Sequence, residues 1–271
     1  MKDKLVLAAR VLMEDGPLAF GKAVLRRAIH PFMPYSPDEA AIISTILHDM
    51  LGTGRMMDVG AHHGSSFAFL ANRGWDILAV EPDTTTRHKL ETAYRNFSNV
   101  RILPCALSDK PGTGMLYKVS GLGGCSSLTP FSPQHSEGEV ARISTARREL
   151  SKLKMRYVDF LKVDAEGYDF QVLRGFPWER ILPRVVMCEF SPPGYGCGQM
   201  AAYLCSKGYA VIVSEWEPVT GYGWQYLHRP WLRFAEFPCS PVDPLGWGNI
   251  IAIHRSDKTL LNAIYQKTLL K

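Results

Sequence analysis

Apolar residues recur along this chain in two rhythms, short continuous runs and stripes spaced three or four apart. Runs rich in Val, Ile, Leu and Met near 55–60, 75–81, 100–105, 158–164, 184–190, 209–214 and 249–254 predict buried strands. Stripes near 64–73, 83–96, 167–175 and 198–207 predict the helices between them. Strands apolar on both sides, alternating with helices, predict an α/β fold with a mostly parallel sheet of about seven strands, covered on both faces. Ahead of it, 4–13 and 18–30 read as short helices broken at Gly16-Pro17. Ser36-Pro37-Asp38-Glu39 then opens a helix through about Met50, with Ser36 as N-cap and Pro37 in the first turn. The expectation is an N-terminal helical extension at 1–50 and one α/β domain at 51–271.

The first strand ends in Met56-Met57-Asp58-Val59-Gly60-Ala61-His62-His63-Gly64. An acid and two glycines four apart suit a strand that turns sharply into a helix. There the backbone can approach a ligand closely, and the helix start offers free N–H groups. The second strand ends in Val80-Glu81-Pro82, an acid 17 residues beyond Gly64, which suits two ribose hydroxyls. Together these features point to a nucleoside-bearing cofactor. S-adenosylmethionine is favoured over NAD, because His62 stands where a dinucleotide fingerprint needs its second glycine. No G-x-x-x-x-G-K-[ST] loop is present, which argues against an NTPase.

Composition narrows the class. With 271 residues and 46% hydrophobic content, the chain can build one sizeable core. A net charge of +5 is mild and speaks against a dedicated nucleic-acid binder. Six cysteines without a C-x-x-C pair read as reduced thiols of a cytoplasmic protein. No stretch reaches the roughly 18 uncharged apolar residues of a membrane helix. Arg10 interrupts the N-terminal apolar run, and no small-x-small cleavage site follows it. Lys22, Arg26 and Arg27 among Phe20, Val24, Leu25 and Ile29 make residues 1–30 a solvated amphipathic face or a peripheral membrane contact.

Three later stretches bear on the acceptor. Residues 111–135 read as a Gly-, Ser- and Pro-rich loop with a short strand at Met115–Val119. Residues 140–156 hold six basic residues and one acid, Glu149, and read as a solvated helix face or a steering patch for an anionic substrate. Between 216 and 247, Trp216, Tyr222, Trp224, Tyr226, Trp231, Phe234, Phe237 and Trp247 crowd among Pro and Gly. That stretch reads as a packed lid, a substrate wall for sugar rings and apolar ligands, or both.

The strand Val158–Asp164 ends in Ala165-Glu166-Gly167. Ligands of open α/β sheets bind beyond the carboxyl ends of the strands, so Asp164 is expected on the same edge as Asp58 and Glu81. Three like charges there need an offset, from a sulfonium, a ribose or a metal. These blocks, M-D-V-G-A-H-H-G, A-V-E-P, D-F-L-K-V-D-A-E-G-Y-D-F-Q-V-L-R-G and V-V-M-C-E-F, resemble the FkbM-type methyltransferases over roughly residues 55–192. That family is a branch of the class I S-adenosylmethionine-dependent, Rossmann-like fold, and the resemblance extends to a plausible closing strand at 249–254.

The resemblance implies O-methylation of a sugar, glycolipid or polyketide hydroxyl. It implies that Asp58, Gly60 and Gly64, with Ala61 and His62 between, frame the methionine end of the cofactor. Glu81 would hold the ribose, Pro82 and Asp83 would flank the adenosine, and Ala106-Leu107 would lie against adenine. Gly124-Cys125-Ser126-Ser127-Leu128 resembles the family's serine-containing loop, which makes Ser126 and Ser127 substrate candidates. The chain departs from the family at His62, where Asn is usual, and in its unusually basic segment before the Asp159 strand. Rival readings are a non-catalytic nucleoside-binding module and another Rossmann-like enzyme such as a dehydrogenase.

A base for the hydroxyl proton could be Asp164, Glu166, Glu189, His63 or His228. Asp164 and Glu189 are expected at strand ends, where a divalent ion could also sit between them. Trp224 and His228, in the aromatic stretch, are substrate candidates. The acceptor's identity and the oligomeric state are not legible in the sequence.

Overall fold

The computed structural model describes residues 37–119, 126–130, 135–191, 196–217, 230–238 and 246–270. The expected helices at 4–13 and 18–30, with their membrane contact, lie outside the described residues, as do Ser36, Gly124, Cys125, Trp224 and His228. In chain order the elements are α1 (Glu39–Leu51), β1 (Arg55–Val59), α2 (Ala68–Ala71), β2 (Asp76–Val80), α3 (Thr84–Tyr94), β3 (Val100–Leu103), β4 (Ala106–Leu107), β5 (Gly112–Val119) and β6 (His135–Ser144). They continue as α4 (Ala146–Lys152), β7 (Phe160–Val163), α5 (Asp169–Arg174), β8 (Val185–Phe190), α6 (Cys197–Ser206), β9 (Tyr209–Trp216), β10 (Trp231–Glu236), β11 (Trp247–His254) and α7 (Lys258–Thr268).

An eight-stranded sheet runs β10-β9-β11-β8-β7-β1-β2-β3. From β3 to β8 neighbouring strands are parallel. The sheet is mostly parallel as expected, and beyond β8 it turns antiparallel, since β11 is antiparallel to both β8 and β9, and β10 to β9. β10 and α7 were not foreseen. Leu260, Ile264 and Thr268 give α7 a buried stripe, and Asp257 caps it by accepting from the Leu260 amide.

Alternation along the strands sorts the core into two layers. Met57, Val59, Leu161 and Val163 face one side with Leu150, Leu173 and Leu204 of α4, α5 and α6. Met56, Ile77 and Phe160 face the other with Leu47, Leu70, Leu90 and Ile264 of α1, α2, α3 and α7. The sheet is covered on both faces, as continuous apolar strands require.

Local chemistry moves several expected boundaries. α1 is capped by Asp38, whose carboxylate accepts from the Ala41 amide at 2.9 Å, and not by Ser36. The helix expected at 64–73 shrinks to Ala68–Ala71, because Gly64 (φ +79°) and its neighbours form turns first. The basic segment 140–156 is not one helix. It finishes β6, turns at Thr145, which accepts from the Arg148 amide, and only then becomes α4. β6 pairs with β5 antiparallel and with β4 in parallel, making a separate three-stranded sheet.

Among the described residues no helix is long and apolar enough to cross a membrane. α1 is tied into the domain: Leu47 is fully buried, and Glu39 accepts from the Ser214 hydroxyl at 2.6 Å and the Trp216 indole at 3.0 Å. Leu47→Ala is therefore expected to cost about 2–5 kcal/mol of unfolding free energy in urea titration. A loss below about 1 kcal/mol would make α1 an appendage instead.

Candidate active site

A cleft of about 250 Å³ opens at the carboxyl ends of β1, β2 and β7. The expected residues Gly60, Ala61, His62, Glu81, Pro82 and Asp164 line it from these strand ends, with Glu166 just beyond β7. Ala106, Leu107 and Ser126 line its far side. Asp58, Gly64, Asp83, Ser127, His63 and Glu189 are not part of its lining.

The two glycines serve the protein's own packing. A Cβ on Gly60 (φ +77°) would lie 1.8 Å from the Asp164 carbonyl oxygen, and one on Gly64 would lie 2.6 Å from the Tyr94 ring. Several of the amides at this turn are taken within the chain. Gly60 and Ala61 both donate to the Val80 carbonyl at 3.0 Å, and Gly64 donates to the Ala61 carbonyl. The reason is geometric: β1 and β2 are in register from Arg55 to Val59, which brings the Val80 carbonyl beneath the turn.

His62 adopts φ +49°, a left-handed conformation that Asn tolerates best and His accepts more readily than most residues. That accounts physically for an Asn/His position here. Burial first, then the neighbouring His63 ring at 3.8 Å, brings the His62 pKa down to about 4, so the ring is neutral at pH 7. Its Nε2 is buried without a hydrogen-bond partner.

Glu81 accepts from the His62 amide at 2.9 Å and the Asp83 amide at 2.8 Å, one on each oxygen. Burial nevertheless pushes its carboxyl up to about 7, outweighing those two bonds. Asp83 itself is buried, caps α3 through the Thr86 amide, and pairs with Lys118 at 2.5 Å.

Lys118 belongs to β5, and it also meets Glu139 of β6 at 3.1 Å. Glu139 in turn accepts from the Thr84 amide and hydroxyl, each at 2.7 Å. This network seats the β5–β6 hairpin on the start of α3, and Leu116 and Leu128 thereby become an apolar wall of the cleft.

At the other wall, register places Lys162 opposite Asp58. The Lys162 ammonium lies 3.5 Å from Asp58 Oδ1 and 3.0 Å from Asp164 Oδ2. For two of the three acids, Asp58 and Asp164, the chain itself supplies an offset. Asp58 is fully buried, also accepts from the Ser66 hydroxyl, and burial raises its pKa. Asp164 is 40% exposed.

The chain after it is held in an unusual path, with Glu166 at φ +49° and Gly167 at φ +93°. The Asp169 carboxylate accepts the Ala165 and Gly167 amides, and Ser127 donates to the Glu166 carbonyl at 2.7 Å. Ser127 is thus a buried brace, whereas Ser126 faces the cleft.

Glu189 is buried and accepts from the Trp247 indole, while its other oxygen has no partner. Burial, then Asp164, raises its pKa well above its ordinary value. Among the described residues no group of three or more His, Cys, Asp or Glu is arranged to hold a metal. Three of the six basic residues in the segment are paired, and none of the six lines the cleft. Arg142 and Lys152 meet Glu149 at 2.9 and 3.2 Å, and Arg147 pairs with Glu179.

Sequence reasoning missed Lys162, Ser66, Cys105, Leu116 and Leu128 in the cleft. Lys162 carried a usable signal, because a lysine inside an apolar strand needs a buried acid to pair with.

The sequence model of the methyltransferase FkbM domain matches residues 58–211. The chain belongs to this family. The fold of an FkbM-domain protein, a Rossmann-like class I methyltransferase sheet, accords with the strand order above. A search of curated proteins returned no match.

Similar solved structures include a precorrin-6y C5,15-methyltransferase from Geobacter metallireducens, 13% identical, covering 79% of this chain and 86% of that one at TM-score 0.41. A TehB-like SAM-dependent methyltransferase from Corynebacterium glutamicum is 10% identical, covering 87% and 97% at TM-score 0.38. TrmK of M. capricolum, in complex with S-adenosyl-homocysteine, is 7% identical, covering 81% and 69% at TM-score 0.43. At these identities and TM-scores they carry nothing about the acceptor.

The Gly60 contact makes a sharp forecast for this family member. Gly60→Ala must push the Asp164 backbone aside and strain a left-handed residue, with an expected loss of about 2–4 kcal/mol in chemical denaturation. Wild-type stability in Gly60→Ala would show that the β1–β7 approach is looser than described.

Proposed function

We propose that this chain is an S-adenosylmethionine-dependent O-methyltransferase acting on a hydroxyl of a sugar, glycolipid or polyketide-type natural product. The observation that supports it is the solvent-open Asp164 carboxylate in the same cleft as Glu81. Their strand ends lie two strand spacings apart, about 10 Å.

The residues fit the cofactor. Glu81 keeps lone pairs for two ribose hydroxyls, beyond the two amides it already accepts. Pro82, Ala106, Leu107, Leu116 and Leu128 make apolar faces suited to adenine. His62 offers a buried, unpartnered Nε2 to a ligand donor. Gly60 and Ala61 border the methionine end, with Asp58 beneath them.

S-adenosylmethionine, when bound, supplies a methyl group already activated on a sulfonium. The protein's part is then to hold the acceptor hydroxyl in line, which for a well-placed pair is worth about 7–11 kcal/mol. Asp164 accepts the hydroxyl proton as the oxygen gains its methyl group, a contribution of about 10²–10⁴-fold. Glu189, buried and outside the cleft lining, is left out of this proton transfer. The thiols Cys105, Cys188 and Cys205 form no disulfide, which supports a cytoplasmic enzyme.

Two measurements test this reading. Ribose hydroxyls donate to the ionised form of Glu81, whose carboxyl sits near 7. S-adenosylhomocysteine affinity, measured calorimetrically, should therefore rise as pH goes from about 6 to about 8 and flatten above. Glu81→Gln should bind more weakly and lose that slope. The raised pKa has the opposite sign for folding: without ligand, Glu81's contribution to stability falls as pH rises from 4.5 through about 7.

The second measurement uses labelled S-adenosylmethionine and a panel of methyl hexopyranosides, glycolipids and polyketide macrolactones. Asp164→Asn should lower kcat at least about a hundredfold and leave S-adenosylhomocysteine affinity within about threefold. Full turnover in that variant removes Asp164 from the chemistry, and label on nitrogen or carbon removes the reaction class.

A further inference from the structure

Lys162 is a charged side chain in the cleft that the reading above leaves without a task. It sits in β7 among Leu161 and Val163, with its side chain only 9% exposed. The register of β1 and β7 sets it directly beside Asp58. We propose that Lys162 is the positioning residue of the acceptor site: its ammonium, anchored on Asp58, holds one oxygen of Asp164 and leaves the other for the acceptor hydroxyl. This rests on the assignment of Asp164 as the proton acceptor.

The argument is one of remaining freedom. The Asp164 backbone is fixed from both sides, since its amide donates to the Val59 carbonyl at 2.9 Å and its own carbonyl fills the space over Gly60. The residues after it are held by Asp169 and Ser127. What stays free is rotation of the carboxylate about its two side-chain bonds. The 3.0 Å bond from Lys162 to Oδ2 removes that rotation, and no described group is bonded to Oδ1. An exposed lysine on a four-carbon stem would wander. This one is buried and held at two points, by Oδ2 of Asp164 and by Oδ1 of Asp58 at 3.5 Å. A base held in one orientation before the acceptor arrives need not be reorganised during transfer.

The bland alternative is that Lys162 only neutralises Asp58. Lys162→Met alone would leave Asp58 as an uncompensated buried charge and is expected to fold poorly. The informative variant is Asp58→Asn/Lys162→Met, which removes both buried charges together. Its thermal melt should be cooperative and close to wild type. With the acceptor that the panel above labels, kcat should fall about 30–100-fold while acceptor KM stays within about threefold. In an Asp164→Asn background the same pair of changes should cost less than about threefold more, because a residue acting through Asp164 has nothing left to position.

A folded double variant with wild-type kcat overturns the proposal. So does an undiminished further loss in the Asp164→Asn background, which would give Lys162 a separate role. Full turnover in Asp164→Asn alone would take down the base assignment and this proposal with it. An inactive Asp164→Asn beside a fully active double variant would remove Lys162 only.

Discussion

Two acids on adjacent parallel strands, with one buried ammonium between them, form the constraint on which the cleft depends. Asp58 is buried within β1 and Asp164 follows the end of β7, half-exposed, close enough that their charges repel. Lys162 reaches both, and its position is dictated by strand register rather than by a flexible stem. Much of the surrounding sequence follows from keeping that arrangement. Gly60 makes room for the Asp164 carbonyl, Gly167 permits the turn away, and Asp169 gathers the amides of the loop. Buried charged clusters of this kind rarely add net stability. Their value here is that they fix directions.

The cleft has two walls of different origin. One is the sheet edge, built from β1, β2 and β7. The other is the β5–β6 hairpin, which joins the sheet edge through Lys118, Glu139, Thr84 and Asp83. Burial resists the charge on Asp83, but the Lys118 ammonium and the Thr86 bonds outweigh it and keep the pKa low. Asp83 therefore serves as an anchor for the wall.

Legibility in the sequence followed how local each cause was. The parallel half of the sheet was legible because strands buried on both faces have no polar alternation to disguise them. Glu81 was found through its spacing from Gly64, a consequence of one βαβ unit. Lys162 was overlooked because its partners lie a hundred residues away or two positions along, and only pairing of β1 with β7 unites them. The hairpin was only partly legible, since Gly112 and Gly114 fell in the stretch 111–135 that read as loop around a short strand, and 136–139 carried no reading. Gly138 is there because any Cβ would meet the Leu116 carbonyl at 2.7 Å across the pair. The segment 140–156 misled for a similar reason. Its basic residues suggested one exposed helix, while the strand within it is specified by partners in β4 and β5.

The insertion of β11 between β8 and β9 has a consequence for the order in which the chain can mature. On the ribosome, β1, β2, β3, β7 and β8 can assemble in sequence as each emerges, since each pairs with a strand already made. β9 and β10 can form only their own hairpin, for the strand that joins them to the rest is synthesised later. Until β11 arrives, β8 presents an unpaired edge and β9 another, both apolar and both open to mispairing. The nascent protein thus carries a paired parallel half, with the cleft on it, beside an unjoined hairpin, and its last strand acts as the seam that closes them into one sheet.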